Sequence, residues 1–314
     1  MSNETFLVTG CAGFIGGHMV RRLLKEGFTV VGVDDFSSGN RANMADFQDK
    51  IRFIEGDLSS PRVAAEAVAG VDRIIHLASI PSVPRSLEKP LESAQSSIMA
   101  TVSVLEESWR AGVKRVVQAS SSAVYGDAGS GVVVETLPYR PLSPYAAAKI
   151  AQENYARVFS LARGLDTVSL RYFNVFGSGQ NPDSDYAAVI PKFISVMLAG
   201  GQPVIFGDGS QTRDFTHVEN VVEANLAAAL SDRPLGGEAI NIGNGGGISV
   251  NTLVSELNQV MGTEIKPLYA PPRPGDILHS RSDIGKAENL LGFRPRIDLA
   301  EGLARVVKRT DGRS

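Results

Sequence analysis

A tyrosine and a lysine four residues apart, Tyr145 and Lys149 in SPYAAAK (143–149), carry the first chemical signal in this chain. At the start of a helix that spacing sets both side chains on one face, a turn apart. A free phenol has a pKa of about 10, so it acts as a base at neutral pH only beside a cation. Lys149 supplies one, and Tyr145 can then take a proton from a hydroxyl while hydride leaves the same carbon. Upstream, ASSSAVYGD (119–127) ends an apolar run in three serines, among them Ser121 and Ser122, and a serine there can bond to the same oxygen. YxxxK by itself is common by chance. It becomes specific through the order in which it follows the serine run and a glycine fingerprint.

That fingerprint is TGCAGFIG, with Gly10, Gly13 and Gly16 spaced GxxGxxG between a strand and a helix. The first glycine permits a tight turn, the second lets backbone N–H groups approach a pyrophosphate, and the third brings the helix close to the sheet. Asp34 ends the next strand, where its carboxylate suits the two ribose hydroxyls of NAD and repels a 2′-phosphate. Asp35 deepens that preference, so NAD is the expected cofactor. Asp57 and Leu58, just after the third strand, read either as an adenine contact or as a plain turn.

Residues 5–9, 28–33, 51–56, 72–78, 114–120 and 166–171 are short runs rich in Val, Ile and Leu with little alternation. They read as strands of a parallel sheet covered on both faces. Helical spacing between the first two (Ile15, Met19, Leu23, Leu24, then Gly27) sets the β-α-β rhythm of a doubly wound α/β fold. Past residue 172, Gly and Pro become frequent, which marks a smaller substrate-binding lobe. The runs 217–230 and 238–243 read again as helix and strand. The expected division is therefore 1–172 with about 214–243 as a Rossmann domain, and about 173–213 with 244–314 as the lobe.

With 314 residues, 43% of them hydrophobic, the chain can bury a sizeable core, and its net charge of −3 leaves no footprint for nucleic acid or an anionic membrane. A single cysteine, Cys11, forbids an internal disulfide and points to a reducing compartment. MSNETFLVTG lacks the basic and apolar segments of a secretory leader, so a cytoplasmic protein is expected. His18, His76, His217 and His279 have no metal-ligand spacing, and no metal is expected. His76 reads as a core residue, Cys11 as a space-filler, and Trp109 with the apolar positions of 98–109 as core.

At these motifs the chain resembles the extended short-chain dehydrogenase/reductase family, and within it the nucleotide-sugar epimerases. The resemblance runs through TGCAGFIG, HLAS (76–79), SSSAVYGD, SPYAAAK, RYFNVFG (171–177), GDGSQTRDFTHV (207–218) and RPGD (273–276). It implies Tyr145 as base, Lys149 on the nicotinamide ribose and Ser121 as the catalytic hydroxyl. It also implies cofactor contacts at Phe14, Ile15, Ser37, Ser38, Gly39, Leu77, Ala78 and Phe173. Asn174, Arg213, Arg273 and Asp276 would bind a nucleotide diphosphate and its ribose. A homodimer is implied as well, through helices around 98–111 and 145–163.

Relatives that eliminate water or decarboxylate a uronic acid carry an acid two places after the catalytic Ser or Thr; here that place is Ala123. What remains is 4-epimerisation of a UDP-hexose by oxidation, rotation of the ketone and return of hydride. In 181–193 the only basic residue is Lys192, which gives little for a uronate carboxylate. That segment and SIPSVPRS (79–86) resemble epimerases of UDP-N-acetylhexosamines, which implies a sugar pocket of Ser82, Ser122 and Ala188, with Ser280 leaving room for an acetamido group. UDP-GlcNAc/UDP-GalNAc is therefore the favoured pair over UDP-Glc/UDP-Gal. Uronate epimerase, decarboxylase or dehydratase chemistry, and a silent NAD-binding scaffold, are the alternatives.

Overall fold

In a computed structural model of the chain, residues 4–129, 131–180, 188–272 and 278–310 are described. Strand β1 (Thr5–Thr9) runs into helix α1 (Phe14–Lys25) and the chain returns as β2 (Thr29–Asp34). Strand β3 (Arg52–Glu55), helix α2 (Pro61–Val68) and strand β4 (Arg73–His76) repeat the rhythm. Short helices α3 (Val83–Glu88) and α4 (Pro90–Ala94) pass through a π turn at Gln95–Met99 into α5 (Ala100–Ala111). Then come β5 (Arg115–Ser121), the long α6 (Pro144–Arg163) and β6 (Thr167–Tyr172).

Downstream elements are shorter: β7 (Val175–Phe176), α7 (Val189–Leu198), β8 (Val204–Phe206), β9 (Thr212–Arg213) and β10 (Thr216–His217). Helix α8 (Val218–Leu230) and strand β11 (Glu238–Ile242) follow. The chain continues through β12 (Ile248–Ser249), α9 (Val250–Met261), β13 (Leu268–Ala270), α10 (Gly285–Leu291) and α11 (Leu299–Thr310).

Seven strands make one parallel sheet in the order β11-β6-β5-β4-β1-β2-β3, the doubly wound α/β architecture expected from the sequence. Period-2 geometry sends neighbouring residues of β1 to opposite faces. Phe6 and Val8 join Met19 and Leu23 of α1 and Val221 of α8, while Leu7 joins Ala64 of α2 and Leu105 of α5. Each such side chain contributes roughly 1.5–3 kcal/mol on burial, which is why both faces of these strands are apolar. A separate cluster gathers Phe176, Ile190, Phe193, Phe215, Leu253 and Leu303 from the downstream elements.

Thr9 pairs with Val33 on one side and His76 on the other, so β1, β2 and β4 end level with one another. The order of connection reverses between β1 and β4, and ligands of such sheets bind in the crevice at that carboxyl edge. His76 is fully enclosed, its ring bonded to Thr9 Oγ1 at 2.8 Å and Thr101 Oγ1 at 3.0 Å. Cys11 is buried, and burial pushes its thiol up to about 12. Trp109 departs from expectation. It is 38% exposed in the last turn of α5, with the Arg163 guanidinium 4.4 Å from its ring centre. Among the described residues, no helix is long and apolar enough to cross a membrane.

Candidate active site

The crevice is a cleft of about 1140 Å³ at the carboxyl edge of the sheet. Its floor is the turn from β1 to α1. Gly10 has φ +68°, and the Gly13 amide donates to its carbonyl at 3.0 Å. A Cβ at Gly16 would lie 2.0 Å from that same carbonyl, so only glycine closes the loop. Gly13 caps α1 with no side-chain hydrogen bond, which leaves the helix N–H groups and the positive end of its dipole to an anion. Asp34 accepts from the Ala12 amide at 2.9 Å through one oxygen and from the Phe36 amide at 2.8 Å through the other. Burial raises its pKa, and those two bonds oppose the rise. The carboxylate is thereby held fixed on the cleft wall, and each oxygen keeps a lone pair for a vicinal diol. A glycine cradle, an open helix terminus and an oriented carboxylate fit NAD.

The reactive end is built by β5 and α6. Ser121 ends β5, and its Oγ accepts from the Ala123 amide at 3.2 Å. Ser143 caps α6, accepting from the Ala146 amide at 3.1 Å, and Pro144 takes the first helical position. This start sets Tyr145 and Lys149 on the inward face, with the Lys149 ammonium 5.8 Å from the Tyr145 ring centre. The Tyr145 amide donates to Ser86 Oγ at 3.1 Å. Burial raises the Tyr145 phenol, and its hydrogen bond with Ser121 acts in the opposite direction. Lys149 donates to the Ala119 carbonyl at 2.9 Å and to Ser79 Oγ at 3.3 Å. Burial draws its pKa down to about 8, with Glu153 one turn further along opposing.

Behind this end lies a buried ion pair that sequence reasoning missed. Glu153 accepts from Arg171 Nε at 2.9 Å and Nη2 at 2.7 Å, from Tyr139 at 2.8 Å, and from Ser120. Arg171 also donates to the Tyr125 hydroxyl at 2.7 Å, and Tyr125 donates to Asn241 of β11 at 2.6 Å. The network ties β5, α6, β6 and β11 together beneath the serines.

The cleft brings together Gly10, Gly13, Phe14, Ile15, Gly16, Asp34, Asp35, Ser37, Ser38, Asp57, Leu58, Leu77 and Ala78 with Tyr145 and Lys149. On the other side stand Ser82, Ser121, Ser122, Asn174, Ala188, Arg213 and Ser280. Two expected cofactor contacts are not among the residues that line the cleft. Phe173 is 0% exposed, its ring packed toward Tyr125 and away from the cleft, so it has no surface to give a ligand. Gly39 is half-buried beside Asp34, where a Cβ would press on Asp34 Oδ1 at 2.9 Å. Arg273 and Asp276 lie outside the described residues. Lys192 is exposed on α7 and does not line the cleft.

Several cleft residues escaped sequence reading: Asn40, Asn43, Ser79, Arg85, Tyr172 and Gln180. Tyr172 could have been found, because it is next to Phe173 in RYFNVFG and pairs with Ser121 across β5 and β6. Among the described residues, the carboxylates on the cleft wall are Asp34, Asp35 and Asp57, all on the β2–β3 side.

Residues 6–243 match the NAD dependent epimerase/dehydratase family. The UDP-glucose 4-epimerase of Mycolicibacterium smegmatis is 39% identical over 306 residues, covering 96% of this chain and 97% of that protein. Among solved structures, the UDP-N-acetylglucosamine 4-epimerase of Methanobrevibacter ruminantium, in complex with UDP-N-acetylmuramic acid, has a TM-score of 0.94. It is 38% identical and covers 100% of both chains. The UDP-glucose 4-epimerase of Thermotoga maritima with UDP-glucose has a TM-score of 0.92 at 35% identity, covering 98% of this chain and 99% of that one. Fold and cleft thus define an extended short-chain dehydrogenase/reductase. The chain belongs to the NAD dependent epimerase/dehydratase family, and NAD is its cofactor.

Proposed function

We propose that the protein is a UDP-hexose 4-epimerase whose preferred pair is UDP-GlcNAc and UDP-GalNAc, with UDP-Glc and UDP-Gal also accepted. The observation that carries this reading is the reactive end of the cleft. It joins Ser121, Tyr145 and Lys149, and among the described residues the wall there holds no carboxylate. Elimination or decarboxylation needs an acid beside the sugar; epimerisation does not.

Tyr145 removes the proton of the sugar's C4 hydroxyl, while Ser121 holds that oxygen. Lys149 stabilises the phenolate by its charge and, through Ala119 and Ser79, keeps a fixed position. The glycine loop, Asp34 and Lys149 would hold NAD, which would supply a hydride acceptor and then a donor at C4. The 4-ketone turns over, and Tyr145 returns the proton to the opposite epimer. Arg213 and Asn174 line the cleft where the UDP portion is expected to bind, and Ser82, Ser122, Ala188 and Ser280 line the sugar's surroundings. Small residues there favour an acetamido substituent, whereas Ala123 departs from close N-acetylhexosamine relatives, which continue the serine run at that place.

We also place a homodimer here, on the face where Met99, Trp109, Tyr155, Val158 and Leu161 are exposed on or beside α5 and α6. A cytoplasmic location fits a chain with one buried cysteine. Incubation with UDP-GlcNAc, UDP-Glc and UDP-GlcA, with products resolved by NMR, tests the function. A UDP-GalNAc product supports it, and no epimer from any of the three ends it.

A further inference from the structure

Among the described residues, three cations line the cleft: Lys149, Arg213 and Arg85. Lys149 is held at the serine end and Arg213 stands on β9, which leaves Arg85 without a role. It lies on α3, just after β4. Its Nη2 pairs with Glu92 of α4, and its Nη1 reaches the Ser37 carbonyl at 3.4 Å. Ser37 belongs to the loop that leaves β2. Since β1 lies between β4 and β2 in the sheet, this bridge crosses above the end of β1, where the glycine loop begins.

The glycine loop offers N–H groups and about half a unit of positive charge from α1. A dinucleotide diphosphate brings two negative charges to it. A guanidinium has five N–H donors in a planar fork suited to phosphate oxygens, and Ser37 and Glu92 engage only part of that set. The side chain is 30% exposed and lines the cleft, so it is accessible to a ligand there.

We infer that Arg85 is a cofactor latch: it binds the diphosphate of NAD and, bridging to Ser37, closes the open side of the glycine loop. The inference rests on the proposed function, because an epimerase restores its cofactor on every turnover and gains nothing by releasing it. A dehydrogenase, by contrast, must exchange it.

The test follows release of NAD from the holoprotein during repeated desalting, at low and high salt, for the wild type, Arg85→Ala and Arg85→Lys. Loss of a charge-assisted contact is expected to speed release about tenfold in Arg85→Ala, with Arg85→Lys between. Salt should quicken release from the wild type more than from Arg85→Ala, because the contact removed is ionic. Equal release rates would overturn the latch. So would a faster Arg85→Ala with an unchanged salt response, which marks general loosening. Wild-type protein that never carries NAD would overturn the latch and the proposed function together, whereas retention by both forms sinks the latch alone.

Discussion

The Lys149 ammonium donates to the carbonyl of Ala119 at 2.9 Å, which pegs the second turn of α6 to the end of β5. The peg keeps Tyr145 beside Ser121, and it also buries a charge, with measurable consequences. The pKa falls from 10.5 in an unfolded chain to about 8 here, so between those values the unfolded chain binds the extra proton. Stability therefore rises with pH across that window, and the gain is lost as pH falls to about 8. Urea denaturation of the wild type and Lys149→Met between these limits should show the wild type gaining relative to the variant. A constant difference refutes the shift. Turnover should fall above about pH 8, where the ammonium loses its proton.

Tyr145→Phe removes the proposed base but keeps the ring beside Lys149. The expected loss in kcat is about 10²–10⁴, the usual worth of a general base, with KM little changed. NAD content of the purified variant should equal that of the wild type. Turnover near the wild-type rate would remove Tyr145 from the mechanism.

Glu153 and Arg171 are each about 3% exposed and bonded through two nitrogens. Removing one partner strands a buried charge, so Arg171→Met or Glu153→Leu should each cost about 3–5 kcal/mol. The double variant should cost less than the two summed, which chemical denaturation of all four proteins measures.

Ser280 lines the cleft, with its amide bonded to the Thr212 carbonyl at 3.1 Å. Ser280→Tyr keeps that backbone bond and fills the space proposed for an acetamido group. The variant should lose kcat/KM for UDP-GlcNAc by about 10–200-fold relative to UDP-Glc, the range for a small steric difference. Parallel assays of the two substrates read the ratio, and an unchanged ratio would show that Ser280 does not gate the pocket.

Much of the sheet was legible because each strand is a local apolar run bounded by turns, and covered faces leave nothing else for such runs to be. Gly10, Gly13, Gly16 and Asp34 were legible for a related reason, since their constraints act within one β-α-β unit. Arg85 was not, because its bridge to Ser37 joins segments 48 residues apart through a sheet order that the motif does not state. The Glu153–Arg171 pair was hidden similarly: a charge on a helix and another ending a strand read as solvated until their elements pack. Trp109 differs from its expected burial because aromatic character alone does not decide it: in the last turn of α5 it stays partly open and stacks with Arg163. Phe173 differs in the opposite sense, since a motif position next to Asn174 says nothing of where its ring packs, here fully buried toward Tyr125.

Strand β11 completes the sheet from residues 238–242, long after β6 at 167–172. Until it docks, β6 is an outermost strand of six buried residues with its ladder groups unpaired. A nascent chain emerging from the ribosome passes through that stage, and a fragment ended after α8 stays in it. Such a fragment would be sticky along one rim and would lack Asn241, the anchor of Tyr125 beneath the serines. Productive synthesis therefore depends on about 70 residues arriving before the nucleotide-binding half can seal.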